Sequence, residues 1–220
     1  MYRCAKFCVF VAIVVLSTVG IISCDLMGDD DSGGSGGGGI SNPYLGQSFT
    51  LPSGTIVDWG DDFDGSADIY VFLDDSPSTE FGPVTVGSDG RFPGMQITAP
   101  QGELDLLKDF ADEYMLNIDN NDARWVDLWE LEVWQGGSWV GDVYRESSDG
   151  RIEVEWWYVD RDVRVWGEGA FEDEDYSVGL DVDLELRSGW NQVILRYDSS
   201  FSTVTFRVGS EPSGVRWEYW

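Results

Sequence analysis

The chain has 220 residues, with 41 acidic against 13 basic side chains, no histidine and a net charge of −28. That balance repels nucleic-acid phosphate and anionic lipid headgroups, which need the opposite sign, and so excludes nucleic-acid binding. Without histidine, and with no cysteine after Cys24, the usual general bases and Cys or Ser–His nucleophiles are missing, and no enzyme is expected.

Arg3 and Lys6 precede an apolar run from Phe7 to Val19, and Ile21-Ile22-Ser23 leads into Cys24. The run is shorter than the ~20 residues of a spanning helix and ends in a small residue and cysteine, not a basic stop-transfer flank. This pattern resembles a bacterial lipoprotein signal, whose cysteine is lipidated and becomes the new N-terminus. The resemblance implies a signal peptide over residues 1–23 and a lipid anchor on Cys24. It also implies a place in the cell envelope, at the outer-membrane surface or on a periplasmic face. Each buried methylene contributes about 0.8 kcal/mol, so more than one acyl chain makes such an anchor stable. Losing the leader removes Arg3, Lys6, Cys4 and Cys8, which leaves 11 cations against 41 acids and no free thiol.

Residues 24–46 are expected to be the lipidated cysteine and a flexible tether, because DLMGDDDSGGSGGGGIS combines glycine and serine with hydrating aspartates.

Residues 47–100 are read as a small β module. Ile69, Val71 and Leu73 alternate with Tyr70 and Phe72, the pattern of a half-buried strand. Pro83–Val86 and Phe92–Thr98 flank the reversal at Asp89-Gly90. The run SGTIVDW, DIYVFL and VTVGSDGRFPGMQITAP resembles carboxypeptidase-regulatory and transthyretin-like β modules, over about fifty residues. Within it, the turn DWGDDFDGSAD places Asp58, Asp62, Asp64 and Asp68 around Gly65. These are hard oxygen ligands of the kind calcium takes. A plain polar turn uses the same residue types for backbone reasons.

Residues 101–117 are predicted to form an amphipathic helix. Leu104, Leu107, Phe110, Ala111, Tyr114 and Met115 recur at helical spacing, with acids between them. Its expected place is as a cover over one end of a β core.

Residues 118–220 read as an antiparallel β module. The segment NIDNNDARWVD offers a second set of calcium-type ligands, Asn117, Asp119, Asn121 and Asp122. Trp129, Leu131 and Val133 share one face of a strand, and Ile152, Val154, Trp156 and Tyr158 share one face of another. Val178, Leu180, Val182, Leu184 and Leu186 alternate with polar residues, as an antiparallel sheet with one wet face requires. YVDRDVRVWGEG, VDLELRSGWNQVILRY and EPSGVRWEYW resemble uncharacterised lipoproteins of spirochaete and Bacteroidetes type across residues 151–220. That resemblance implies location and fold, and it supplies no catalytic residue.

The expected fold is mainly β, an antiparallel β-sandwich with one short amphipathic helix, built as one composite sandwich or as two packed modules. Ten of eleven tryptophans lie from Trp125 onward. Trp134, Trp157, Trp166 and Trp220 fall opposite the apolar faces of their strands. If exposed together, they form a platform for sugar rings or a protein surface; if both sheet faces are covered, they are packing. Two functions are therefore carried. One is a non-catalytic envelope binding protein with a carbohydrate or protein ligand, and the other is an envelope structural protein with no small-molecule ligand.

Overall fold

The computed structural model describes residues 44–57, 59, 66–73, 80–101, 104–172 and 177–220. The leader, Cys24, most of the tether and Asp58, Asp62 and Asp64 lie outside the described residues.

The first part of the chain forms β1 (Tyr44–Gly46), β2 (Ser48–Leu51), β3 (Gly54–Val57), β4 (Ala67–Phe72), β5 (Glu80–Val86), β6 (Arg91–Phe92) and β7 (Met95–Thr98). Next come β8 (Asp105–Leu106), helix α1 (Leu107–Glu113), β9 (Asn117–Ile118), β10 (Arg124–Leu128) and β11 (Glu130–Gln135). Long strands follow: β12 (Ser138–Ser147), β13 (Ile152–Val159), β14 (Val163–Glu172), β15 (Ser177–Leu186) and β16 (Gly189–Tyr197). β17 (Thr203–Val208) and β18 (Val215–Tyr219) complete the set. The protein is thus mainly β, and one large sheet runs β5-β4-β11-β12-β13-β16-β17-β15-β14-β9. Its pairings are antiparallel except β15 with β17 and β3 with β18.

Residues 47–100 do not stand apart. β4 joins the sheet through β11, β3 pairs with β18, and Phe49 stacks on Trp156 at 5.9 Å between ring centroids. A segment of about fifty residues buries only a marginal core alone, and here it completes a core shared with the rest of the chain. That core gathers Phe49, Leu51 and Ile97 with Ile69, Val133, Trp156, Trp190 and Trp217.

A second core lies on the other face of β13 and β16. Trp157, Val159, Val193 and Leu195 meet Val165, Leu180, Val182, Leu184 and Phe206 there. Alternation therefore sends successive residues of β13 and β16 into different cores, and the centre of the sheet is covered on both faces.

Helix α1 is shorter than the sequence pattern predicts. Asp105 and Leu106 pair with Trp125 and Arg124 of β10, so the backbone there is strand. Leu107 and Ala111 are buried in the second core, and Phe110 meets Trp157 edge-on at 5.4 Å. Met115 takes a φ of 58° and turns out to solvent at 74% exposure, away from the helical face its spacing suggested.

The GWN segment is a structural staple. The Asn191 carboxamide donates to the carbonyls of Arg187 at 2.8 Å and Gly189 at 2.9 Å, and accepts from the Arg187 N–H at 3.0 Å. Gly189 has a φ of 108°, and a Cβ there would meet the Gly46 carbonyl oxygen at 2.5 Å. Trp190 donates its indole N–H to the Thr98 carbonyl at 3.2 Å. One turn thereby ties together β1, β7, β15 and β16.

Candidate functional site: an aromatic and carboxylate face

Strand β11 turns into β12 through Gly136-Gly137, whose φ values of 60° and 82° suit a two-residue hairpin. The turn sets Trp134 opposite Trp139, and a bulge between Val133 and Trp134 then shifts the register so that Glu132 stands opposite Asp142. Residues directly opposite share a face. On the other side of β11, Tyr70 of β4 stands opposite Glu132, and Asp68 opposite Trp134. Beyond β12, the Trp220 backbone exchanges hydrogen bonds with Asp142, at 2.9 and 3.1 Å. Two rows result across neighbouring strands: Asp68, Trp134 and Trp139, then Tyr70, Glu132, Asp142 and Trp220.

Each indole in these rows is pinned by a carboxylate. Trp134 Nε1 donates to Glu132 Oε2 at 3.0 Å, Trp139 Nε1 to Asp142 Oδ1 at 3.0 Å, and Trp220 Nε1 to Glu146 Oε1 at 2.9 Å. Trp139 and Trp220 are 54% and 44% exposed, yet their ring orientations are held. Tyr70 extends the surface, edge-on to Trp134 at 6.2 Å and stacked on Phe72 at 5.9 Å.

Along β12 and onto β13 the same side of the sheet becomes a buried acidic seam. Glu146, Glu153 and Glu155 are almost fully buried. Burial raises Glu146 to about 7; nearby Glu218 adds to the rise, while the Trp220 indole and Arg216 oppose it. Burial, then the Asp127 charge, raises Glu155 to about 8 against the hydrogen bond from Trp157 Nε1. Glu153 is pushed well above the ordinary glutamate range by burial and then by Glu155 and Glu146, and the Tyr197 hydroxyl donates to it at 3.3 Å. Burial, then Glu130 and Asp142, likewise raises the Tyr144 hydroxyl, which donates to Glu130 Oε2 at 3.3 Å.

The sequence-derived platform is only partly assembled. Trp134, on β11, and Trp220, just after β18, do lie on one face, on either side of β12. Trp157 is 2% exposed and packs in the second core against Trp125 at 4.6 Å, which removes it from any surface platform. Trp166 is half-buried on β14, toward the other end of the sheet, with the Arg164 guanidinium 5.3 Å from its ring centroid. Trp139 was not among the four, although the Gln-Gly-Gly-Ser turn implies its place opposite Trp134.

Of the candidate ligands in the acidic turn, Asp58, Asp62 and Asp64 lie outside the described residues, and Asp68 accepts from Thr85 Oγ1 at 2.9 Å. In the second candidate loop, Asn117 donates to the Trp166 carbonyl at 3.2 Å and Asp119 accepts from the Arg164 N–H at 2.8 Å. Asp122 donates its N–H to Asn120 Oδ1 at 3.3 Å, and Asn121 is exposed. These bonds fasten β9 and its loop to β14. Among the described residues no group of three or more acids converges in a metal-holding arrangement. No helix among them is long and apolar enough to cross a membrane.

Comparison with protein-family models, curated proteins and solved structures finds no match to this chain.

Proposed function

We propose that this chain is a non-catalytic binding protein of the bacterial cell envelope, lipid-anchored through Cys24, that takes a carbohydrate on the face of β4, β11 and β12. The observation that carries the reading is Trp139, which is 54% exposed with its indole N–H tied to Asp142 at 3.0 Å. A large apolar ring held out in water costs free energy unless something covers it. Sugar rings present C–H faces that stack on indole and hydroxyls that donate to carboxylates, and this face offers both in alternation. The anchor and the envelope location rest on the leader motif and the glycine-rich tether.

A non-catalytic role is favoured because Glu153 and Glu155, whose affinity for protons is raised, are almost fully buried on β13. The alternative is an envelope structural protein with no small ligand. It draws support from the burial of Trp157 and the half-burial of Trp134 and Trp166.

A glycan array probed with the protein and with Trp139→Ala tests the proposal. Binding to a set of glycans that is lost in Trp139→Ala is expected. An array blank for the wild type, or hits indifferent to Trp139, would favour the structural role.

A further inference from the structure

Two carboxamides stand side by side on β16, and the protein's own groups satisfy only one of them. Alternation turns Asn191 to one face, where its side chain hydrogen-bonds the turn, and Gln192 to the other. Gln192 lies between Trp190 and Ile194, two residues of the first core, and directly opposite Trp156 of β13. It is fully buried, and neither its Oε1 nor its Nε2 has a hydrogen-bond partner among the described residues. Trp156 Nε1 is buried in the same way, also without a partner among them.

We infer that Gln192 and Trp156 build an internal binding site for water in the first core, beside Gly209. A carboxamide brings two N–H donors and an accepting oxygen, and the indole brings one further donor. Sealing such groups in an apolar core with nothing to bond costs the desolvation of each of them. A water molecule answers both kinds of group, since it accepts from an N–H and donates to a carbonyl oxygen. Interior waters settle where about three such bonds can be made.

The backbone leaves room for it. Gly209 follows β17 and donates its N–H to the Gln192 carbonyl at 3.2 Å, continuing the register in which Val193 stands opposite Val208. Residues opposite each other share a face, so Gly209 adjoins the Gln192 side chain. Within 4 Å, a Cβ on Gly209 would meet only Ile194 Cγ1, at 3.6 Å. Glu211, two residues further on, does not turn into this space, because Arg145 holds it by two bonds at 2.6 and 3.2 Å. Trp217 Nε1 is a different case. It too is buried without a partner among the described residues, but a Cβ on Gly54 would stand 2.6 Å from it, so backbone closes over that group. The site therefore belongs to Gln192 and Trp156, and it is independent of the carbohydrate reading.

The test is nuclear magnetic resonance of the whole protein, labelled with nitrogen-15 and read for contacts between water and side-chain N–H groups. The Gln192 Nε2 and Trp156 Nε1 protons should show cross-peaks to water with the sign of a dipolar contact to a long-lived molecule, not of proton exchange. Gln192→Met keeps the length of the side chain and removes its donors and acceptor. It should erase the water contact at Trp156 and lower the melting temperature. Wild-type protein with no water contact at Gln192 would overturn the inference. So would a Gln192→Met variant that keeps the contact at Trp156, or one that melts as high as the wild type or higher, the behaviour of a carboxamide buried dry.

Discussion

Glu146 and Glu153 stand opposite each other as the register pair that joins β12 to β13, and both are only 2% exposed. Two acids in that position cannot both ionise cheaply, because burial and mutual repulsion each oppose the charge. Glu155 extends the same seam two residues along β13, with its own carboxylate held by Trp157 Nε1 at 2.6 Å.

This seam sets the pH dependence of stability. The folded-state values are raised above the ordinary 4.5, to about 7 for Glu146 and about 8 for Glu155, with Glu153 also raised. The folded protein therefore holds protons that the unfolded chain has released. The resulting stability is fully present below about pH 4.5 and is lost as pH rises through about 7 to 8. Melting temperature should fall between about pH 5 and pH 8.5. Glu153→Gln should flatten that slope and raise the value at the alkaline end. A melting temperature that climbs over the same interval would contradict this.

Asn191→Ala should destabilise the fold by about 2–3 kcal/mol, since it leaves the Arg187 N–H and two carbonyls of a buried turn without their partner. Urea denaturation would measure the loss. A change within about 0.5 kcal/mol would mean that the turn holds without its carboxamide.

The N-terminal strands and the C-terminal sheet should unfold together, because Phe49 packs on both Trp156 and Trp190, with ring centroids at 5.9 and 5.4 Å. Phe49→Ala should cost about 3–5 kcal/mol. It should also shift a single transition, seen alike by tryptophan fluorescence and circular dichroism. Two separate transitions in the wild type would show independent modules instead.

Added sodium chloride should raise the melting temperature, because 41 acids against 13 cations repel one another over a range that salt shortens to about 8 Å near 0.15 M. Local pairing limits the effect on β15, where Asp181 binds Arg207 at 2.8 Å and Asp183 binds Arg164 at 3.0 Å. Such exposed pairs contribute little individually. A melting temperature flat across salt would remove the electrostatic argument.

Much of the fold is visible in the alternation of residues. Val178, Leu180, Val182, Leu184 and Leu186 are all buried, as period two requires of β15. β13 is different: Ile152, Val154, Trp156 and Tyr158 read as its apolar face, so Glu153 and Glu155 look like its wet one. A second core covers that side, and both glutamates are buried. The available signal was Trp157, which shares their face. A related local pattern recurs, with Glu132 two residues before Trp134 and Glu155 two before Trp157, each carboxylate accepting the indole N–H. The helix misreading has a similar origin, since periodicity cannot reveal that β10 captures Asp105 and Leu106 as strand. The surface platform was half visible for the same reason. Strand alternation picks out which side a tryptophan faces, but not whether another layer lies there.

The most direct test of the binding face is a fluorescence titration of the protein with oligosaccharides, run beside Trp139→Ala and Trp166→Ala. Trp139 lies on the face, and Trp166 lies on β14 toward the other end of the sheet. A saturable spectral change that Trp139→Ala abolishes and Trp166→Ala retains is the predicted result. A change that survives loss of Trp139, or that both substitutions remove equally, would contradict it.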